Sequence, residues 1–321
     1  MNSTYDKPQP ISNFTKGYLI CLVGTAVWST TAIFIRYLTV NYHLPALVLA
    51  FWRDVFVFAA LAGAFVAFNP ERLRIERQHL RFLVVYGFVL SIFNALWTVS
   101  VSLNGAAVAT VLVYSSAAFT ALLGWRFLHE QLGLIKILAV LFSLGGCVLV
   151  SGAYTASAWE LNTLGVITGL LSGLAFASYS LMGKASSERG INSWSALLYT
   201  FGIGALFLLA YNFIPGLDTS AVPGGNLFWL GNSLAGWGVL IVLAVGPTVG
   251  GYGLYTLSLS YLPASVANLI ATLEPAMTAG LAYLFLGEDL NGTQLLGSLL
   301  IVGGVFMLRL RNGRGRKTVV H

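Results

Sequence analysis

Residues 264–286 read ASVANLIATLEPAMTAGLAYLFL. The run carries one charge, Glu274, and is long enough to cross a hydrocarbon layer of ~30 Å, which takes about 20 helical residues. Glu274 stands ten residues from its start. At ~1.5 Å per residue that is about 15 Å of depth, near the bilayer midplane. Pro275 follows at once, removes a backbone donor and interrupts the helix. A charge at that depth costs at least ~3 kcal/mol unless something compensates it, so such residues usually mark a pathway or a binding site.

The composition around this run has the same character. The 321 residues are 57% hydrophobic and 9% charged, with a mean hydropathy of +0.81. A soluble domain carries about 25% charged residues, so the chain reads as a polytopic membrane protein with no room for a sizeable soluble domain. The tail from Met1 to Lys16 is polar and shows no secretory signal pattern, and the first apolar run is long enough to remain as an anchor. Cys21 and Cys147 lie inside apolar runs and read as small core residues, not as a disulfide or metal pair. The net charge of +6 reflects loop orientation and not nucleic-acid binding.

Hydropathy places ten helices near 17–38, 45–68, 81–102, 105–128, 132–153, 162–183, 193–213, 235–260, 264–286 and 292–310. Asn104-Gly105 and Leu262-Pro263 are the expected breaks between runs that nearly merge. With the N-terminus in the cytoplasm, only Arg36 and Arg53 of the 17 lysines and arginines fall in the outer half. That asymmetry predicts both termini inside. The Arg-rich C-terminal tail then faces anionic lipid.

Sliding the chain against itself by 158 residues reveals a repeat. Thr98, Ser100 and Ser102 fall on Thr256, Ser258 and Ser260; Phe127, Leu128 and Glu130 fall on Phe285, Leu286 and Glu288; Gly145 and Gly146 fall on Gly303 and Gly304. A shift of 148 pairs the first and sixth helices, with Gly17 on Gly165 and Arg36 against Lys184. The difference is absorbed by the loop around Pro223-Gly224-Gly225. The expected fold is therefore an all-α membrane protein with ten transmembrane helices as two inverted five-helix repeats. Its expected parts are a tail at 1–16, repeats at 17–155 and 156–310, and a basic tail at 311–321. Five helices per repeat make the second half enter the membrane from the opposite side, as in alternating-access transporters with midplane sites.

Leu273-Glu274-Pro275-Ala276, Leu286-Gly287-Glu288, Gly297 and Gly303-Gly304 resemble the closing helices of the drug/metabolite transporter superfamily, EamA type. Trp28-Ser29-Thr30 ahead of Arg36 is similar to that family's opening helix, and Phe51-Trp52-Arg53 to its second. The resemblance spans about 17 to 310. It implies a ten-helix transporter, often an exporter of amino acids or other metabolites, in a bacterial inner membrane. The first half departs from the second, with Ser115-Ser116-Ala117 where the second has Leu273-Glu274-Pro275, so a site between the halves is chemically lopsided.

Glu274 heads the candidate substrate-binding residues. Its carboxyl could exchange a proton and couple that to substrate, or bind a substrate amine directly. The structural alternative is that it satisfies a carbonyl freed by Pro275. Ser116 is its repeat-mate, flanked by Ser115 and Tyr114; these hydroxyls either bond substrate or join helices. Asn94 and Trp97 share a helix face and pair with Tyr252 and Tyr255 across the repeat, as walls of a cavity or as packing. Arg53 either holds a substrate carboxylate, pairs with Glu274 or snorkels, with Asp54 pointing roughly 100° away. Trp28, with Ser29 and Thr31, completes the set. Gly246-Pro247-Thr248 reads as a hinge or an unwound segment, with Gly246-xxx-Gly250 packing as the alternative. Gly169-xxx-Gly173 reads as packing. Glu130 and Glu288 read as structural, bonding loop amides or nearby cations.

No Walker-type loop is present, and no nucleotide domain fits, so the expected activity is secondary or facilitative transport of a small polar or amphipathic metabolite, amino-acid-like first, by export. A multidrug or nucleoside-type transporter of the same fold is the alternative. An intramembrane enzyme would need clustered carboxylates, histidines or a nucleophile pair, and a channel would need rings of charge or a carbonyl filter. No cofactor and no metal are expected. The expected partners are a small-molecule substrate, protons and membrane lipid, with the chain as monomer or homodimer.

Overall fold

The computed structural model describes residues 13–155, 163–214, 226–286 and 291–314. The Pro223 loop, Glu288 and the outer parts of both tails lie outside the described residues. Thirteen α-helices account for nearly all of the remainder: α1 (Asn13–Ser29), α2 (Thr31–Tyr42), α3 (Ala46–Phe68), α4 (Arg77–Tyr114), α5 (Ser116–Phe127), α6 (Leu134–Val150), α7 (Thr163–Glu188), α8 (Ser193–Tyr211), α9 (Leu234–Leu243), α10 (Val249–Ser258), α11 (Ala264–Ala271), α12 (Glu274–Leu286) and α13 (Gly292–Arg314). There is no strand among the described residues. A chain this apolar satisfies its backbone inside helices because lipid offers no partner for a free N–H or C=O.

Eight stretches among the described residues have the length and hydropathy of a membrane crossing: Asn13–Tyr42, Ala46–Phe68, Arg77–Val101, Val108–Phe127, Thr163–Glu188, Ser193–Tyr211, Leu234–Ser258 and Gly292–Arg309. The two other expected spans are shorter or interrupted. The helix α6 has 17 residues, and α11–α12 is divided at Thr272 and Leu273. Helix α4 cannot be straight. A Cβ on Gly169 of α7 would lie 2.6 Å from both Ser100 Oγ and Leu112 Cδ1, whereas twelve residues of straight helix separate by ~18 Å. The chain therefore doubles back between Ser100 and Leu112, around the break expected at Asn104-Gly105. Gly169 and Gly173 make this possible; a Cβ on Gly173 would lie 2.5 Å from Ser115 Oγ.

Helices α6 and α13 cross through small residues in a self-complementary way. A Cβ on Gly146 would lie 2.5 Å from the Gly297 carbonyl, and one on Gly304 would lie 2.8 Å from the Ala139 carbonyl. At a shift of 158, Gly146 maps to Gly304 and Ala139 to Gly297. Contact i–j recurring as contact j–i is what a two-fold axis between the two helices produces.

One end of the bundle collects cations on aromatic faces. Lys16 sits 5.0 Å from the Tyr261 ring centre, Arg309 5.0 Å from Tyr18 and Arg189 4.1 Å from Phe82. We call this the basic end. The opposite end has a tryptophan cluster. Trp52 Nε1 donates to the Leu227 carbonyl at 2.6 Å and Trp229 Nε1 to the Tyr42 carbonyl at 2.8 Å, with Trp52 and Trp237 rings 5.0 Å apart. Such amphipathic rings suit a membrane–water interface.

Candidate functional site

Three helical paths break at similar depth, each where a hydroxyl captures the carbonyl three residues back. Ser29 and Thr30 bond Ala26 and Val27 at 2.7 Å between α1 and α2; Ser115 bonds Leu112 at 2.6 Å between α4 and α5; Thr272 bonds Leu269 at 2.6 Å between α11 and α12. Side-chain bonds of this kind compete with the helical ladder. Ser115 and Leu273 are repeat-mates, so both halves break at the same register by different chemistry. In the second half Pro275 also removes a donor. The expected hinge at Gly246-Pro247-Thr248 is not unwound. It is a π-helical turn over Ala244–Thr248. Pro247 frees the Leu243 carbonyl, and Thr248 Oγ1 donates to it at 2.9 Å. Gly246 has nothing close by, so the alternative, a packing pair of Gly246 with Gly250, is not formed either.

The breaks surround a cavity of about 510 Å³. Glu274, Tyr114, Asn94, Trp97, Tyr252, Arg53 and Trp28 all line it, joined by Thr31, Phe93, Thr98, Thr110 and Phe176. It extends to Thr39 and Ala46 at the α2–α3 connection, so it opens away from the basic end. Trp28 packs on Tyr252 at 4.4 Å and on Phe176 at 5.7 Å between ring centres. Gly251 permits this approach, since a Cβ there would lie 2.8 Å from Trp28 Cβ. Glu274 is half-buried at the first turn of α12, where the helix N-terminus favours negative charge. The Tyr114 hydroxyl donates to its Oε2.

On another wall Arg53 does not pair with Glu274. Its guanidinium donates to Asn94 Oδ1 at 3.0 Å, and its Nε lies 3.4 Å from Asp54 Oδ1. Asn94 Nδ2 closes the ring by donating to Asp54 Oδ2 at 3.4 Å. Successive residues on a helix diverge by ~100°, but the long arginine stem curls back to meet its neighbour. Asp54 is fully buried behind the wall, so Arg53 is compensated and held at the cavity surface.

Three expected site residues do not face this cavity. Ser115 is turned to its own helix against Gly173. Ser116 is fully buried and donates to Asn268 Oδ1 at 3.0 Å. Tyr255 is fully buried with its hydroxyl 2.7 Å from Ser180 Oγ. Ser29 is likewise buried on its own helix. The physical reason is direction: hydroxyls beside a break serve the freed carbonyls or the neighbouring helix before they reach an open space. Sequence reasoning missed Phe176 although it is the repeat-mate of Trp28 at a shift of 148, and Thr110 although its mate Asn268 is an amide inside an apolar run.

Below the cavity, at the basic end, Glu130 spans from the α5–α6 connection to the start of α11. Its Oε1 accepts from the Ala264 N–H at 2.7 Å, the Ser265 hydroxyl donates to Oε2, and Lys136 Nζ lies 3.5 Å away and donates to Ser265 at 2.8 Å. Glu130 thus has the structural part expected of it.

A family model of EamA-like transporters matches residues 15–152 and again 163–310. An uncharacterized transporter of Archaeoglobus fulgidus is 24% identical over 91% of this chain and 95% of its own length. One from Synechocystis is 26% identical over 69% of this chain, and the match spans only 64% of that protein. The threonine/homoserine exporter RhtA of Salmonella typhimurium is 28% identical over 73% of each chain. A solved crystal structure superposes with a TM-score of 0.74 over 94% of this chain and 98% of that one at 19% identity, which speaks for the fold alone. With two matches of the family model covering nearly all of its length, this multi-pass membrane chain belongs to the EamA-like transporter family.

Proposed function

We propose that the chain is a secondary or facilitative transporter of a small amino-acid-like metabolite, working as an exporter in a bacterial inner membrane with both termini in the cytoplasm. Its two five-helix halves, 17–155 and 156–310, insert in opposite senses and alternate access to a midplane site. The observation that carries this reading is the cavity itself. An acid, Glu274, stands on one wall, a compensated cation, Arg53, on another, and aromatic rings lie between them. A zwitterion matches that arrangement, with its ammonium at Glu274, its carboxylate at Arg53 and its side chain against Trp28, Trp97 and Tyr252. The similarity to threonine/homoserine exporters supports the substrate class, and the asymmetry of lysine and arginine supports the orientation. Glu274 can also serve as the proton carrier, exchanging a proton for the substrate amine. The extent of aromatic wall favours one second reading, a flat organic cation of the drug or nucleoside type, held at Glu274 and stacked on the rings.

The test is counterflow of labelled threonine, homoserine and other neutral amino acids in proteoliposomes, with a thermal-shift screen that adds nucleosides and cationic drugs. Saturable counterflow of a neutral amino acid, lost in Glu274→Gln while the variant still reaches the membrane, is the expected result. Undiminished transport by Glu274→Gln would refute the role of that carboxyl. A thermal response to organic cations alone would move the assignment to the second reading.

A further inference from the structure

The half of the molecule between the cavity and the basic end is sealed, yet it is not apolar. Where α5, α7, α10 and α11 meet, Asn268 Nδ2 donates to Ser180 Oγ at 3.1 Å and its Oδ1 accepts from Ser116 at 3.0 Å. The Tyr255 hydroxyl lies 2.7 Å from the same Ser180, and the Tyr179 hydroxyl 3.4 Å from Thr256 Oγ1. All six residues are at most 2% exposed. Two turns nearer the basic end on α7, the Ser186 hydroxyl is buried with no hydrogen-bond partner among the described residues. A permanent core gains nothing from hydroxyls that leucine or valine could replace, and a buried polar atom without a partner is a cost.

The repeat relation gives these positions a meaning. At a shift of 158, Trp97, Thr98 and Thr110 of the open cavity map to Tyr255, Thr256 and Asn268; at 148, Thr31 maps to Tyr179. Four lining residues of the open hollow thus have their mates in the sealed seam. The Ser116–Asn268 bond has its own counterpart in Glu274 and Thr110, which both line the open cavity. In an inverted-repeat carrier the conformations of the two halves exchange when access switches, so mates of the open wall become the wall of the next opening.

We infer that the seam of Ser116, Tyr179, Ser180, Tyr255, Thr256 and Asn268 is the second half of the permeation path, hydrogen-bonded shut in this state, and that it opens toward the basic end when the present cavity closes. The inference rests on the transport reading above. Asn268 is the central clasp, because from α11 it hydrogen-bonds both Ser116 of α5 in the first half and Ser180 of α7 in the second. In the other state the hydroxyls that are sealed here face water and substrate, and Thr110 approaches Glu274 as Asn268 now meets Ser116.

Single cysteines test this in oriented vesicles with a membrane-impermeant maleimide. Native Cys21 and Cys147 are wholly buried, so the unsubstituted protein supplies the background, and Glu188→Cys, exposed at the basic end, marks that face. Thr98→Cys is expected to react from the face opposite the basic end, and Thr256→Cys to react slowly and from the basic-end face alone. Adding Asn268→Ala is expected to raise Thr256→Cys labelling about tenfold from the basic-end face, and to lower Thr98→Cys labelling in parallel. Ser116→Ala, which removes one of the two clasp bonds, should act in the same direction and serves if Asn268→Ala does not fold. A seam that stays unreactive, reacts from the Thr98 face, or loosens with no fall at Thr98 overturns the inference while leaving the transport reading standing. An unreactive Thr98→Cys would instead remove the open cavity on which both depend.

Discussion

Replacing Asp54 by alanine is expected to cost about 3–5 kcal/mol of stability, the range for stranding one member of a buried ion pair. Asp54 is fully buried and Arg53 is 6% exposed. Their closest charged atoms are 3.4 Å apart, which at an effective dielectric of ~20 is an attraction of about 5 kcal/mol. Both contacts of Asp54 are long, so each hydrogen bond adds only about 0.5–1.5 kcal/mol, and Asn94 remains as a partner for Arg53. Asp54→Asn removes the charge and keeps only one of the two accepted hydrogen bonds, because its amide nitrogen cannot accept, and should lie between wild type and Asp54→Ala. The double variant Arg53→Leu/Asp54→Leu separates charge from volume. It should regain at least ~2 kcal/mol over Asp54→Ala, because apolar replacements of a buried pair are often neutral, and yet lose transport of a carboxylate-bearing substrate. Stability is read from reversible unfolding in mixed micelles and transport from proteoliposome counterflow. Wild-type stability in Asp54→Ala, or a double variant no better than the single one, would refute the pairing and with it the reason Arg53 can stand in a membrane cavity.

Glycine substitutions test the α6–α13 crossing. Gly146→Ala and Gly304→Ala push a Cβ against backbone carbonyls at 2.5 and 2.8 Å, whereas Gly145 and Gly303 have nothing within 4 Å. The first pair should lose about 1–3 kcal/mol from overpacking and the second pair nothing; equal effects in a thermal-unfolding series would contradict the crossing. Glu130→Ala should cost about 3–5 kcal/mol, because it uncaps α11 and leaves Lys136 short of its buried carboxylate; a drop below ~1 kcal/mol would show the contact to be incidental. If Glu274 carries the exchanged proton, wild-type export should quicken when the outer medium is acidified, since protons then run inward against outgoing substrate. Glu274→Gln should lose that response in a pH-jump assay, and a retained gradient effect would place the coupling elsewhere.

Much of this was legible in the chain because lipid imposes a simple rule. Apolar runs of span length had to become helices, and a run interrupted by Glu274-Pro275 had to break there. Asn94 and Trp97 could be read as one wall because helix-face neighbours share a surface, and Asn94's repeat-mate Tyr252 joins them, whereas Trp97's own mate Tyr255 is sealed away. What sequence spacing could not supply was the direction in which short hydroxyls turn. Ser115 and Ser116 sit one and two residues beyond Tyr114, which faces the cavity, yet one is spent on its own helix and the other on Asn268. Nor did neighbouring positions on one helix foretell the Arg53–Asp54–Asn94 ring, since a flexible arginine stem can cancel the ~100° between successive residues.

The sequence by itself determined a helical membrane protein, the repeat register, the break beside Glu274 and the family to which the chain belongs. The first three follow from hydropathy, period and proline chemistry, which act locally; the family follows from the resemblance of short motifs in order along the chain. Tertiary structure alone decided which end of the repeat is hollow and which is shut. Two mated sets of residues are nearly equivalent along the chain, and only the packing of α5, α7, α10 and α11 around Asn268 makes one of them a sealed seam and leaves the other open to Glu274.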